Sequence, residues 1–415
     1  MHRIFRYLCV ALCLAGGAAA QTALTWDQVV AKFRAANPNL RAGQLNIAES
    51  KASEITANLK PNPNLSLGLD QLAFFNGNPY RPFTLALPTA GIDYLHERQH
   101  KRELRLESAK QGTAIAESQQ DDLERTLIFS LRTAFVQTLQ AKALLANAKE
   151  NLDYFDKELQ INQDRFKAGD IARVDLDRIQ LQRVQYESDY QTAQVNARTA
   201  KITLLMLLND RTPVDRFDVS GPFAFQERIY ALDDFHAAAL AARPDLRAAL
   251  QAVEKAGTDH KLAVANGSTD PTFSVDFGWT NPVVYTGVGV SIPLRIFDRN
   301  QGEKARTQID IAHAERQKDA AQAQVFGDVD SAYYTMQSTV NQLRSYISAS
   351  GYLETAKRIR ETMSFSYQRG QAALVDYLDA QRDYRATEVA YINLVGAYLN
   401  AAGQLNMAVG REIVR

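Results

Sequence analysis

The chain carries one sequence pattern twice, at a spacing of about 200 residues. The segment Asn37–Leu40 (Asn-Pro-Asn-Leu) returns as Arg243–Leu246 (Arg-Pro-Asp-Leu). Gly169 returns as Gly370, and in both copies a Val-Asp pair follows after four intervening residues. This period is far longer than a solenoid unit, so each copy is expected to form half of the fold. Two similar halves predict a pseudo-symmetric object, such as the wall of a ring or tube.

The N-terminal segment has the features of a secretory signal peptide. Two arginines precede an apolar run over Tyr7–Leu14, and small residues follow up to Ala20. This pattern predicts a signal peptide at residues 1–20, cleaved after Ala20, because the apolar run is too short for a transmembrane anchor. A lipoprotein signal at Cys13 is disfavoured, since Leu12 stands where a small residue is needed. We expect the first repeat at 21–220 and the second at 221–415.

Composition excludes several classes of protein. Both cysteines, Cys9 and Cys13, lie in the signal peptide, so the mature chain has no disulfide and no cysteine-based metal site. An exported chain without cysteine suits the bacterial periplasm or outer membrane. The formal net charge is zero, which gives no electrostatic footprint for nucleic acid. No mature segment is apolar enough for a membrane-spanning helix, so any membrane crossing must use β-strands.

Helical periodicity dominates both copies. Thr113–Ala168 contains no Gly or Pro, and its apolar residues recur at steps of three and four. Glu303–Ser350 repeats the helical periodicity, which continues to about Gln368. Some 65 residues of helix would be about 100 Å long, so these helices are expected to lie against other long helices as a coiled coil.

Glycines mark where the long helices end. Gly169 and Gly370 fit helix C-caps, because glycine accepts the left-handed conformation at little cost. New helical patterns follow over residues 173–209 and 374–409, and short connections produce antiparallel hairpins. Each half also starts with a helical pattern, at residues 25–58 and 231–265.

Between the first helix and the hairpin of each half, the period changes from 3.6 to 2. Alternating residues predict a strand pair at about 61–90, including Phe83–Leu87, and another at about 270–293. Turn sequences join the strands at Asn76–Pro79 and Thr280–Pro282. Aromatic residues cluster near the strand ends: Phe74, Phe75, Tyr80, Trp279 and Tyr285. Transmembrane β-strands have this pattern. The alternative, a small soluble hairpin on each helix pair, would be marginally stable in water.

Four strands are too few to close a barrel with a lumen. Strands in lipid cannot leave open edges, so the chain must oligomerise to close its sheet. Two copies would give eight strands around an interior filled by side chains, and three copies would give about 12 strands around a conduit.

At this point the sequence resembles the TolC-like outer membrane factors, the exit ducts of bacterial tripartite efflux pumps and type I secretion systems. The resemblance covers essentially the whole mature chain and is most specific at the Gly turns, where Leu374–Ala380 looks like the family's second periplasmic turn. It implies a mainly α fold with a small β part. In that fold a trimeric 12-stranded transmembrane β-barrel is continued by a long periplasmic α-helical barrel.

The resemblance also implies partners and a function. Ile292–Gly302 is similar to a segment of the CzcC-like heavy-metal efflux branch. The implied function is a passive exit duct, gated at its periplasmic tip, for small molecules or metal ions delivered by an inner membrane transporter. A periplasmic adaptor would contact the turns at Ala168–Arg173 and Arg369–Leu374. The alternative is an exported coiled-coil scaffold without channel activity, which leaves the alternating strands unexplained.

Asp376 and Asp379 are the candidate residues of the periplasmic entrance. They lie three apart, hence on one helix face, and the family has acidic residues at these positions around the closed entrance. A trimer would bring six carboxylates towards one axis, and such a ring attracts cations. The simpler interpretation is that they only stabilise the start of their helix through its dipole, by ~0.3–1 kcal/mol.

The resemblance further implies a gate latch. Tyr367 stands where the family has a tyrosine that bonds an aspartate of the other turn, and Asp175 matches that aspartate. A Tyr367–Asp175 hydrogen bond is therefore expected, with ordinary interhelical packing of Tyr367 as the alternative. Ala372 departs from the TolC pattern, since TolC itself has an arginine of the closing network there, and the second latch of that network is not expected here.

One enzymatic signature is present in the chain. His96–His100 reads His-Glu-x-x-His, a pattern that on a helix places two imidazoles beside a catalytic glutamate in zinc proteases. A catalytic zinc needs a third protein ligand, and none is suggested nearby. We therefore expect no enzyme and no cofactor, with adventitious metal binding by His96 and His100 as a minor alternative. There is also no phosphate-binding loop of the Walker type, so transport is expected to be driven by a partner.

Overall fold

The computed structural model describes residues 23–72, 83, 86–226, 231–280 and 282–414. The predicted signal peptide, the turn Asn76–Pro79 and three of the predicted strand-end aromatics (Phe74, Phe75 and Tyr80) lie outside the described residues.

The two halves follow one order of elements: two helices, two strands and a helical hairpin. In the first half these are α1 (Trp26–Ala36), α2 (Pro38–Ala57), β1 (Asn64–Asp70), β2 (Leu87–Leu95), α3 (Lys101–Ala168) and α4 (Arg173–Leu207). In the second half they are α5 (Leu232–Ala242), α6 (Pro244–Asn266), β3 (Thr272–Thr280), β4 (Val283–Ser291), α7 (Gln301–Ile347), α8 (Tyr352–Gln368) and α9 (Leu374–Val409). A short 3-10 helix, Val214–Arg216, follows α4. The division between residues 220 and 221 stays a prediction.

The N-terminal helix of each half is split at a proline, whereas the sequence pattern predicted one continuous helix. Asn37 and Arg243 adopt extended conformations, with ψ of 123° and 121°, directly before Pro38 and Pro244. Proline disfavours the helical conformation of the preceding residue, and its missing N–H is harmless at the first position of a new helix. The Asn37 side chain accepts hydrogen bonds from the backbone N–H groups of the new helix.

The second long helix is also broken, although its pattern predicted continuity to about Gln368. α7 ends at Ile347, and Ser348 is extended with ψ of 158° before α8 begins at Tyr352. Gly351 turns back so that its N–H donates to the carbonyl of Ser348 at 2.8 Å. A Cβ on Gly351 would lie 2.5 Å from the carbonyl oxygen of Tyr346, so only glycine fits at this break.

The four strands form one antiparallel sheet in the order β1-β2-β3-β4. β2 begins at Leu87 and runs to Leu95, later in the chain than the predicted strand over Phe83–Leu87. The register brings Leu65 opposite Ile92, Ile92 opposite Val275, and Val275 opposite Val288. Residues directly opposite each other share a face of an antiparallel sheet, so these apolar side chains form one continuous surface. That surface is exposed, with Leu65 67% and Val288 85% accessible.

The opposite face of the sheet is polar or small. Ser66 pairs with Gly91, Gly91 with Asp276, and Asp276 with Gly287. The predicted alternation of apolar and polar faces is therefore confirmed.

The helices share three apolar clusters. One joins α1, α3 and α4, a second joins α5, α7 and α9, and a third lies between the two hairpins near their turns. α3 spans 68 residues, which corresponds to about 100 Å. No helix in the described part of the chain combines the length and the apolar composition that crossing a membrane requires.

Candidate functional site at the paired hairpin tips

The two hairpin turns have the same backbone geometry. Gly169 and Gly370 adopt left-handed conformations, with φ of 85° and 74°. After each of them, a backbone N–H reaches back five residues: Asp170 donates to Arg165 at 2.9 Å, and Gln371 donates to Ser366 at 2.8 Å. This is the Schellman pattern that closes a helix with glycine. The prediction of glycine C-caps at both turns is confirmed.

Aromatic side chains pack the hairpins together beside these turns. We call this apolar cluster the tip cluster. Its buried core comes from α3, α4, α8 and α9 and consists of Phe155, Ile179, Tyr186, Tyr367, Leu374 and Tyr377. The loop residue Ala372 packs partly buried against this core. The Tyr367 and Tyr377 rings stack at 4.9 Å between centroids with an interplanar angle of 13°. The two repeats therefore meet through a shared apolar contact at this end of the molecule.

Tyr367 forms a different hydrogen bond from the one expected. Its hydroxyl donates to Oδ1 of Asn162 at 3.0 Å, and Asn162 in turn donates to the carbonyl of Glu158 at 2.8 Å. The predicted Tyr367–Asp175 bond is thus replaced by a Tyr367–Asn162 bond. The physical reason is burial: Asn162 is 1% exposed, faces α8 from within the cluster, and is a neutral partner that costs less to desolvate than a carboxylate.

Charged groups still surround the Tyr367 ring. The guanidinium of Arg165 lies 5.1 Å from the ring centroid, within the range of a cation–π interaction. Burial raises the pKa of the Tyr367 phenol, the Arg165 charge opposes this change, and the Asp175 carboxylate adds to it. The Asp175 carboxylate is therefore close enough to raise the pKa of Tyr367 by its charge, although it does not bond the hydroxyl.

Glu158 is a buried carboxyl that the sequence pattern did not single out. It lies on α3 and is 6% exposed, and its Oε2 has no hydrogen-bond partner of ordinary geometry among the described residues. Burial raises the pKa of this carboxyl, and the nearby hydroxyls of Tyr377 and Tyr154 offset that change only in part. The pKa of Tyr377 is also raised, chiefly by burial.

A cleft of about 390 Å³ opens between the two turns. Its lining combines Arg165, Asp175, Tyr367 and Gly370 with residues of both adjoining loops. Ala372, at the position where an arginine was expected from TolC itself, lines the cleft and packs partly buried against the tip cluster. The cations that line this cleft are Arg165 and Arg178, both supplied by the opposite hairpin.

The two candidate entrance carboxylates are exposed at the start of α9. Asp376 lies in the first turn, and Asp379 is 3.1 Å from Arg382 one turn later. The structure places both on the solvent side, whereas Tyr377 between them points into the tip cluster. Their arrangement around a common axis stays a prediction.

The His-Glu-x-x-His segment does not have the geometry of a zinc protease. α3 begins at Lys101, after both histidines, so His96 and His100 do not share a helix face. Glu97 forms two hydrogen bonds with the guanidinium of Arg105. In the described part of the chain, no three His, Cys, Asp or Glu side chains are grouped to hold a metal ion.

Sequence patterns missed Asn162, Arg165, Glu158 and Tyr377 as members of the tip. Asn162 and Arg165 lie within the last two turns of α3 before Gly169, and Tyr377 follows Asp376 directly. A search for polar residues at helical spacing from each turn glycine would have found them, but nothing in the sequence ranks them above their neighbours.

Comparisons with known proteins agree with this architecture. The sequence model of the family described as outer membrane efflux protein matches residues 237–411. The cobalt-zinc-cadmium resistance protein CzcC of Cupriavidus metallidurans is 24% identical over 402 residues, which cover 94% of this chain and 90% of that protein. The outer membrane protein TolC of Escherichia coli is 23% identical over 401 residues, covering 89% and 79% of the two chains.

A solved structure has the same fold. The outer membrane protein VceC of Vibrio cholerae superimposes with a TM-score of 0.76 at 16% identity, and the match covers 94% of this chain and 97% of that one. The predicted fold class, mainly α with a small sheet as in TolC-like channels, is confirmed.

Proposed function

We propose that the chain is a member of the outer membrane efflux protein family, whose sequence model matches residues 237–411, and that it is the passive exit duct of a tripartite efflux pump or type I secretion system. The protein lies in the outer membrane with a large periplasmic portion. The observation that carries the proposal is that one chain combines an exposed apolar sheet with very long helices. An exposed apolar sheet face lies at one end, and helices of up to 68 residues extend from it.

The sheet supports a trimeric assembly. Among the described residues, β1 and β4 each pair with one strand only, so both edges of the sheet are open. Open edges are not tolerated in lipid, and one copy is too small to close on itself. Three copies would place about 12 strands in a closed barrel, with the apolar face towards lipid and the face of Ser66 and Asp276 towards the lumen.

The helical hairpins would continue this barrel and close it at their tips. The closed state would be held by the tip cluster and the Tyr367–Asn162 hydrogen bond. Asp376 and Asp379 of three copies would form a ring of carboxylates at the entrance, which favours cations over anions.

Opening requires a partner that prefers the open tip, since a ligand shifts a two-state equilibrium only through its differential affinity. A periplasmic adaptor would bind the turns at 168–173 and 369–374, most of whose residues are exposed. An inner membrane transporter would supply the energy and the cargo. The cargo class is small molecules or metal ions, and the relative named for cobalt, zinc and cadmium resistance favours divalent cations as the first substrates to test.

Single-channel recording in planar lipid bilayers tests the proposal. The purified protein is expected to insert and give small, cation-selective currents from a closed resting state. Insertion without any current at any applied voltage would contradict the proposed duct. Failure of a folded sample to insert would favour the coiled-coil scaffold. Export of Co²⁺, Zn²⁺ or Cd²⁺ by cells with and without the gene then tests the cargo.

A further inference from the structure

The junction between sheet and helices carries a group of cations without acidic partners. Each of the four strands has one end at this junction. β1 begins at Asn64, β2 ends at Leu95, β3 begins at Thr272 and β4 ends at Ser291. The loop Gly267–Asp270, which leads into β3, lies at its centre.

Side chains from both halves meet around this loop. The backbone N–H of Arg98 donates to Asp270 at 2.9 Å, and Lys101 bonds Asp270 at 2.6 Å and the carbonyl of Ser268 at 3.0 Å. A Cβ on Gly267 would lie 2.8 Å from the carbonyl of Arg299, which brings the start of α7 to the same place.

Three acidic groups at the junction are paired with cations. Asp270 is paired with buried Lys101, Glu97 with Arg105, and Glu103 with Arg102. Asp298 accepts the backbone N–H of Asn300 at 2.8 Å. Within the described ranges, Lys60, Arg98, Arg299 and Lys304 have no carboxylate at salt-bridge distance. They outnumber the unpaired carboxylates of the junction, Asp93 and Asp298, so an excess of positive charge remains.

An exposed apolar segment adjoins these cations. Leu294, Ile296 and Phe297, between β4 and α7, are 79%, 60% and 88% exposed. They follow directly on the apolar face of β4, where Val288 and Val290 are exposed as well. Contiguous exposed apolar patches of this kind mark sites of interaction with proteins, membranes or ligands.

We propose that this junction binds an anionic phospholipid of the inner leaflet of the outer membrane. The lipid phosphate would lie against Arg98, Arg299 and Lys60, and its acyl chains against Leu294 and Phe297. Basic side chains at a membrane surface attract anionic headgroups, and adjacent apolar side chains distinguish a lipid from a free phosphate. Continuity with the apolar sheet face places the junction at the boundary of the membrane. The inference rests on the outer membrane location and does not depend on conduction.

The test compares lipids by their effect on the thermal unfolding midpoint of the detergent-purified protein. Phosphatidylglycerol is expected to raise the midpoint by several degrees more than phosphatidylcholine does. The charge variant R98Q/R299Q is expected to lose this difference, and R98K/R299K to keep it. R358Q is the matched control, because Arg358 is an exposed arginine without an acidic partner on the distant helix α8.

Three results would overturn the inference: equal shifts with the two lipids, a full preference retained in R98Q/R299Q, or the same shift with inorganic phosphate, which would indicate an anion site only. The variant L294S/F297S is expected to weaken the lipid effect while the oligomer stays intact by light scattering. Dissociation to single chains would instead make this segment a contact between copies. Bilayer recordings on the same samples separate this outcome from failure of the proposed channel.

Discussion

The Tyr367 hydroxyl on α8 donates a 3.0 Å hydrogen bond to Asn162 on α3, which ties the second hairpin to the first beside their turns. Both residues are buried, with 6% and 1% of their surface exposed. Loss of one partner would leave the other unsatisfied in an apolar surrounding, which costs about 1–3 kcal/mol. The bond is therefore suited to hold the tips in one arrangement.

We expect Tyr367→Phe and Asn162→Ala each to destabilise the tip and to raise the open-channel probability in bilayers. A double-mutant cycle on unfolding should give a coupling of about 0.5–1.5 kcal/mol between the two residues. Tyr352→Phe is the control, because Tyr352 is 60% exposed. Additive effects of the two substitutions would show that the hydrogen bond does not hold the tips.

Substitution of both entrance carboxylates should change selectivity more than stability. Asp376→Asn/Asp379→Asn is expected to move the cation-to-anion permeability ratio towards one, since the exposed carboxylates would act by their field on passing ions. Asp215→Asn, an exposed carboxylate beyond the end of α4 that is far from the turns, should leave the ratio nearly unchanged. Reversal potentials in a salt gradient measure the permeability ratio. Equal effects of the double substitution and of the control substitution would show that Asp376 and Asp379 do not form the entrance.

Much of this fold could be predicted from local sequence patterns. The Gly169 and Gly370 turns, the long helical stripes and the alternating strands each follow from a strong short-range signal. The break at Gly351 could not be predicted, because Gly327 lies within α7 and the helix continues through it. What differs at Gly351 is the close approach of the Tyr346 carbonyl, which depends on three-dimensional packing.

The partner of Tyr367 was beyond sequence reasoning for a similar reason. Asn162 and Asp175 lie before and after the first hairpin turn, and the sequence allows either of them to face the second hairpin. Which of them meets the hydroxyl depends on the rotation of each hairpin about its own axis, and the packing of Phe155, Tyr186 and Tyr377 decides that rotation. The family resemblance supplied the wrong partner because this chain places a neutral amide in the buried position.

The turn glycines should not tolerate a side chain. Gly370 has φ of 74°, where any Cβ is strained, so Gly370→Ala is expected to cost about 1–2 kcal/mol. Gly257 is the matched control: it lies in α6 with open space around it, and Gly257→Ala should stabilise the protein by about 0.5–1 kcal/mol. Thermal unfolding followed by the helical signal measures both, and a neutral Gly370→Ala variant would mean that the turn can adopt another geometry.

The buried Glu158 carboxyl should make the stability of the tip depend on pH. Its pKa is raised in the folded protein, so the folded state binds the proton more tightly than the unfolded chain does. The stabilisation is complete below the unfolded-state pKa and is lost as pH rises through the folded-state pKa. Each unit of difference between the two values corresponds to about 1.4 kcal/mol.

Glu158→Gln mimics the protonated side chain and removes this dependence. We expect the variant to unfold at a higher temperature than the wild type at pH 7.5, and the gain to vanish in acid, where the wild-type carboxyl is already protonated. Glu187→Gln is a suitable control, because Glu187 is exposed beside Arg183. Unfolding midpoints measured across the pH range decide the matter: a gain from Glu158→Gln that persists in acid would mean that packing, and not the buried charge, separates the two proteins.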